Sequence, residues 1–175
     1  VNGQTTIPGG VIGAHQTAQG GVDAYLAKFD SKGNLISENQ FGTSGDDQVS
    51  ATAAGSDGSL YVASVQNGQA VVTKYANGDI TSAPVWSQSL GALQAGDIIG
   101  GLTVSGGGGQ ASVAAGSSGG TDAFVFALTD NGSSVSADHV SYVGTGASDQ
   151  GGKVTVGPDG TIYLTGTTMG TFTGQ

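Results

Sequence analysis

Four aspartates stand out as groups that could do chemistry: Asp46, Asp47, Asp97 and Asp149. They fall in Gly- and Ser-rich loops at a spacing of about fifty residues. Calcium takes roughly six to eight oxygen ligands, and carboxylates in such loops are suited to supply them. The stretch Gly42-Thr43-Ser44-Gly45-Asp46-Asp47 occurs once in that form. Neither an EF-hand loop nor a tandem Gly-Gly-x-Gly-x-Asp nonapeptide is present. The competing reading is that each aspartate caps its own loop, because a short carboxylate readily accepts backbone N–H groups at a tight turn. The same pair of readings applies to Asp23 and Asp122, and there the capping role is the stronger.

Other chemistry finds little footing. His15 and His139 are the only imidazoles, and neither has a second His or an acid at the spacing of a zinc site or a triad. No Gly-x-Ser-x-Gly elbow and no paired-acid pattern of a glycosidase occurs. The Gly106 to Gly109 run is followed by no Lys-Ser or Lys-Thr, so it reads as a loop and not as a phosphate cradle. With no Cys, thiolate metal sites, Cys nucleophiles and disulfides are excluded. The chain has no Arg, and its only cations are Lys28, Lys32, Lys74 and Lys153 against a net charge of −9, which argues against gripping nucleic acid. No apolar run approaches the roughly 20 residues of a membrane-spanning helix.

The elements that must position these residues are strands. Of 175 residues, 34 are Gly and only 10% are charged, so the Glu, Lys and Arg that cover helix surfaces are scarce. Asp supplies twelve of the thirteen acids, with Glu38 the single Glu, a bias that points to many tight turns.

Three segments repeat: Gly21-Val22-Asp23-Ala24-Tyr25-Leu26-Ala27-Lys28-Phe29, Gly68-Gln69-Ala70-Val71-Val72-Thr73-Lys74-Tyr75, and Gly120-Thr121-Asp122-Ala123-Phe124-Val125-Phe126-Ala127-Leu128. Asp23, Gln69 and Asp122 lie 46 and 53 residues apart, a period in the range of propeller blades. Each segment runs into a Gly/Asn turn and a second strand. The acidic loop with a third strand follows, then a turn such as Gly55-Ser56-Asp57-Gly58 or Gly157-Pro158-Asp159-Gly160, and a fourth strand such as Leu60-Tyr61-Val62-Ala63. The recurring aromatics Tyr25, Tyr61, Trp86, Phe124 and Tyr163 read as core that packs one sheet on the next.

These residues resemble the bacterial β-propeller repeats of the SBBP type. The resemblance is carried by Gly21-Val22-Asp23-Ala24-Tyr25, Gly120-Thr121-Asp122-Ala123-Phe124, Trp86-Ser87 and Asp159-Gly160-Thr161-Ile162-Tyr163-Leu164-Thr165-Gly166. The middle repeat departs from it, with Gln69 for Asp and a Gly run for the last turn. The family implies a propeller and exported or surface proteins, and it carries no shared catalytic residue.

The expectation is therefore an all-β chain of about three four-stranded antiparallel repeats of β-propeller blade type, forming one domain over 1–175. Repeats are placed at 20–66, 67–118 and 119–170, with 1–19 as the tail of a preceding one. Propellers close with roughly four to eight blades, so this is expected to be part of a larger propeller or of an open or oligomeric array. A start at Val1 and ends that fall mid-repeat read as a mature product or an excised segment. The expected role is a non-catalytic bacterial extracellular or cell-surface scaffold or adhesive repeat protein. Its expected partners are other repeats of the same parent, other copies of itself or surface carbohydrate. A calcium- or carbohydrate-binding module is the alternative, and an enzyme the least favoured reading.

Overall fold

The computed structural model describes residues 13–14, 20–93, 97–105, 110–116 and 122–172. The Gly106 to Gly109 run, His15 and most of the 1–19 tail lie outside them. The described residues are all-β, with no α-helix and one 3-10 turn at Ala76–Gly78. In chain order the strands are β1 (Gly13–Ala14), β2 (Ala24–Phe29), β3 (Leu35–Phe41), β4 (Asp47–Ala54), β5 (Leu60–Gln66), β6 (Gln69–Tyr75), β7 (Trp86–Ala92), β8 (Ile98–Ser105), β9 (Gln110–Gly116), β10 (Ala123–Asp130), β11 (Val135–Val143), β12 (Asp149–Val156) and β13 (Ile162–Thr168).

They form several small sheets. β4-β5-β6-β7 and β8-β9-β10-β11 are each four-stranded antiparallel meanders. Before them comes the sheet β1-β3-β2, in which the short β1 runs parallel to β3, and after them the pair β12-β13.

The sheet boundaries do not coincide with the repeats placed at 20–66, 67–118 and 119–170. A complete sheet takes the last two strands of one repeat and the first two of the next. The turn chemistry explains the shift. Asn67 and Gly68 both have positive φ, 47° and 74°, which is the backbone of the two-residue hairpin that keeps neighbouring strands in register. That hairpin welds β5 to β6, whereas the longer acidic loop before β4 carries the chain into a new sheet.

The sheets stack in chain order. β2 packs on β4, β4 on β8, and β8 on β12. Each of β4, β8 and β12 is interrupted by a bulge at the same place, three residues after Asp47, between Ile99 and Gly101, and between Gly151 and Val154. An extra residue in the ladder sharpens local twist, and here it recurs in the first strand of three of the four sheets. At the second of these bulges a Cβ on Gly100 would collide with the carbonyl oxygen of Gly152 on β12, so glycine is required for the backbones to come this close.

The main core lies between the two complete sheets, where Tyr61, Ala63, Val72 and Trp86 meet Ile99, Leu102, Phe124 and Leu128. Burying each large apolar side chain contributes roughly 1.5–3 kcal/mol, which makes this layer the principal source of stability. A second cluster joins Leu26 of β2 to Val62, Tyr75 and Ile80.

Candidate functional site

Two of the four candidate aspartates sit in the same local device. Thr43 donates its backbone N–H to Asp47 Oδ2 at 2.6 Å and its hydroxyl to the same oxygen at 3.0 Å. Thr145 does the same to Asp149 Oδ2, at 2.6 and 3.0 Å. In both loops the threonine hydroxyl also accepts a backbone N–H at 3.2 Å, from Gly45 in one and Ala147 in the other. The carboxylate and the hydroxyl together satisfy loop donors that have no ladder partner, which is what a buried loop needs. Both aspartates are buried. The hydroxyl of Thr168 and then the amide of Thr145 hold the Asp149 carboxyl below its ordinary pKa.

Asp46 and Asp97 play other parts. Asp46 Oδ1 accepts the Val22 N–H at 2.9 Å while the Asp47 N–H donates to the Val22 carbonyl at 2.6 Å, so this loop ties the first sheet to the second. Asp97, half-buried ahead of β8, has Leu93 four residues earlier, and so the hydroxyl of the Thr–Asp clasp is missing there. Asp97 lines a cleft of about 750 Å³ together with Asp23, Asp46, Asp47, Tyr25 and Val65. The fold thus brings Asp46, Asp47 and Asp97 to one cleft and leaves Asp149 apart, in its own loop. Among the described residues no three acids or histidines converge closely enough to hold one metal ion.

Asp23 accepts the side-chain amide of Gln40 at 2.7 Å and crowds Gly42; Asp122 stands against Gly144 in the same manner. The turn aspartates are a further matched pair. Asp57 accepts the Ser59 N–H at 2.9 Å and Asp159 the Thr161 N–H at 3.0 Å, and each turn is closed by a 2.8 Å bond from Gly55 to Ser59 or from Gly157 to Thr161. His139 is exposed on β11 opposite Ala127.

The strongest polar cluster is one that the sequence reading missed. Asp130, at the end of β10, accepts from Lys74 Nζ at 2.5 Å, from the Tyr61 hydroxyl at 2.5 Å and from Trp86 Nε1 at 3.1 Å, while its own turn adds the Gly132 N–H at 2.9 Å. Three of these donors belong to the sheet before it. The Lys74 ammonium lies 5.6 Å from the centre of the Tyr61 ring, which itself packs on Trp86 with centroids 5.9 Å apart. Burial works against the charge on Asp130, but Lys74, Tyr61, Gly132 and Trp86 outweigh it and lower its pKa. Burial first, and then the neighbouring Asp130, raise the pKa of Tyr61. The available signal was a lysine inside the apolar run Val71-Val72-Thr73-Lys74-Tyr75, because a charge on a buried strand needs a partner.

One part of the aromatic reading is corrected. Tyr61, Trp86 and Phe124 are core, whereas Tyr25 and Tyr163 are exposed. Among the described residues their strands, β2 and β13, are sheet edges.

No family model matches the chain, and no curated protein does. A crystal structure of a protein of unknown function from Bacteroides caccae is similar, with a TM-score of 0.54 at 12% identity. The likeness shows the fold alone. The match covers 84% of this chain and 48% of that one, so this chain spans about half its length.

Proposed function

We propose that the chain is a non-catalytic section of a β-propeller-type repeat scaffold of a bacterial extracellular or surface protein, working through the area its stacked sheets and loops present. The observation that carries this reading is the recurrence of one fastening, Thr43–Asp47 and Thr145–Asp149, about 100 residues apart with the same bond lengths. The acids best placed for chemistry hold up loops and join sheets. That use of carboxylates is structural, and it is made twice, at Asp47 and Asp149, while the Asp97 loop between them has Leu93 in place of the threonine. The SBBP-like motifs, the absence of Cys and the scarcity of cations accord with an exported, water-facing protein. A stack of such repeats builds a large contact surface from few residue types, which suits adhesion or assembly.

The experiment is antibody labelling of intact bacterial cells that express the parent gene, with a cytoplasmic protein as control. Labelling without permeabilisation supports the surface role. Labelling only after permeabilisation contradicts it.

A further inference from the structure

Between the first and second sheets lies a cleft of about 500 Å³. Asn39 and Phe41 of β3 line it from the first sheet, Thr73 and Tyr75 of β6 and Ser87 of β7 from the second, with Pro84 of the loop before β7. Among the described residues that line it, none carries a charge.

The next sheet interface shows that stacking does not by itself leave such a space. Thr73 stands between Val62 and Ser87 in its ladder. One sheet on, Phe126 stands between Val113 and Val140 in the same register. Likewise Tyr75 lies opposite Leu60, and Leu128 opposite Ala111. Phe126, Leu128 and Val140 are packed in the main core. Where the third sheet presents three apolar side chains to its neighbour, the second presents two alcohols and a phenol, and the cleft is there.

These polar groups keep bonding capacity to spare. The Thr73 and Ser87 hydroxyls are 2.6 Å apart, and whichever of them donates, the other retains its own O–H. The Asn39 amide nitrogen donates to the Ile80 carbonyl at 2.7 Å, which fixes the side chain and leaves its oxygen to accept. Tyr75 is only 5% exposed, and among the described residues its hydroxyl has no hydrogen-bond partner, so burial is what raises its pKa. A buried polar group without a partner is the exception in folded proteins, and one at the wall of a cleft favours a ligand that bonds to it.

We propose that this cleft is a seat for a neutral saccharide. A sugar ring has apolar C–H faces and a girdle of hydroxyls that both donate and accept. Phe41, Tyr75 and Pro84 offer surface to the faces, and Thr73, Ser87, Asn39 and the Tyr75 hydroxyl offer uncharged partners to the girdle. The volume falls in the range of about 300–1,000 Å³ usual for small-molecule sites. A carboxylated or sulfated sugar would have to bring its charge into a cleft whose described lining holds no cation, at a desolvation cost that nothing there offsets. The seat adds a ligand to the scaffold reading and does not depend on it.

The test is calorimetric titration of the full chain with neutral trisaccharides of glucose, galactose, mannose and N-acetylglucosamine, and with trigalacturonate as the charged control. At least one neutral trisaccharide should bind saturably, and trigalacturonate should not. Tyr75→Phe should weaken that binding by about tenfold, the worth of one ordinary hydrogen bond, without lowering the melting temperature, because the hydroxyl holds no other part of the described chain. Thr73→Phe together with Ser87→Val copies Phe126 and Val140 of the next interface; it should abolish binding and raise the melting temperature. Saturation by none of the four neutral sugars overturns the seat, and so does binding that both variants leave unchanged. Trigalacturonate bound as tightly as the neutral sugars overturns its neutral character. A chain that binds no sugar leaves the surface role standing, and one found only inside cells leaves the seat standing.

Discussion

Lys74 and Asp130 form an ion pair 2.5 Å long between two different sheets, with both side chains withdrawn from water. A buried pair of this kind contributes little net stability over an apolar substitute, yet removing one partner leaves the other charge buried alone. Asp130→Ala is therefore expected to destabilise by about 3–5 kcal/mol, and a double change to Asp130→Leu and Lys74→Met by much less. Urea unfolding of the two variants checks this. Equal losses would mean that the charge is not what holds the sheets in place.

Tyr61→Phe removes one of the four donors to Asp130 and preserves the ring. The expected cost is about 1.5–3 kcal/mol, as for a hydrogen bond to a charged group. The same change at Tyr163, which is exposed, should cost less than about 0.5 kcal/mol. Comparing the two melts distinguishes buried from edge tyrosines of the same motif.

The acid limb of stability should belong largely to aspartates. Asp30, Asp57, Asp130, Asp149 and Asp159 have lowered pKa values, and the hydroxyls of Ser82 and Thr81 bring Asp79 to about 2. A carboxyl whose folded pKa lies below its unfolded value contributes stability that is fully present above the unfolded value. That contribution is lost as pH falls through the folded one. Unfolding free energy should thus be level from neutral pH down to about 4, the ordinary Asp range, and decline below it. Asp130→Asn should show a shallower decline, and an identical acid limb in that variant would contradict the assignment.

Gly100→Ala places a methyl group against the Gly152 backbone carbonyl on the neighbouring sheet. Backbone cannot retreat as a side-chain tip can, so a loss of about 1–3 kcal/mol is expected. Gly146→Ala, where a Cβ would meet nothing within 4 Å, is the control and should be close to neutral. Parallel thermal melts would show it.

Much of this was legible in the residues. The strand positions followed from alternating short apolar runs between Gly/Asp turns, and the matched turns at Asp57 and Asp159 behave as their chemistry demands. The phase of the sheets was not legible, because two strands joined by a turn look alike whether or not a sheet boundary falls there. The continuous hairpin from β5 to β6 turns on the positive-φ pair Asn67-Gly68, a backbone state that the strand pattern does not record. The Asp130 cluster joins residues 56 and 69 positions apart, beyond any local pattern. Tyr25 and Tyr163 carry the pattern of core residues, and pattern does not record whether anything packs over them.

The most direct test of the structural role of the repeated aspartates is the unfolding midpoint of the wild type and of Asp47→Ala and Asp149→Ala, each measured in EGTA and in calcium. Both variants should melt lower than the wild type, by the same amount in either buffer, because their partners are Thr43 and Thr145 of the chain itself. A wild-type midpoint that rises with calcium, together with loss of that rise in the variants, would contradict the account.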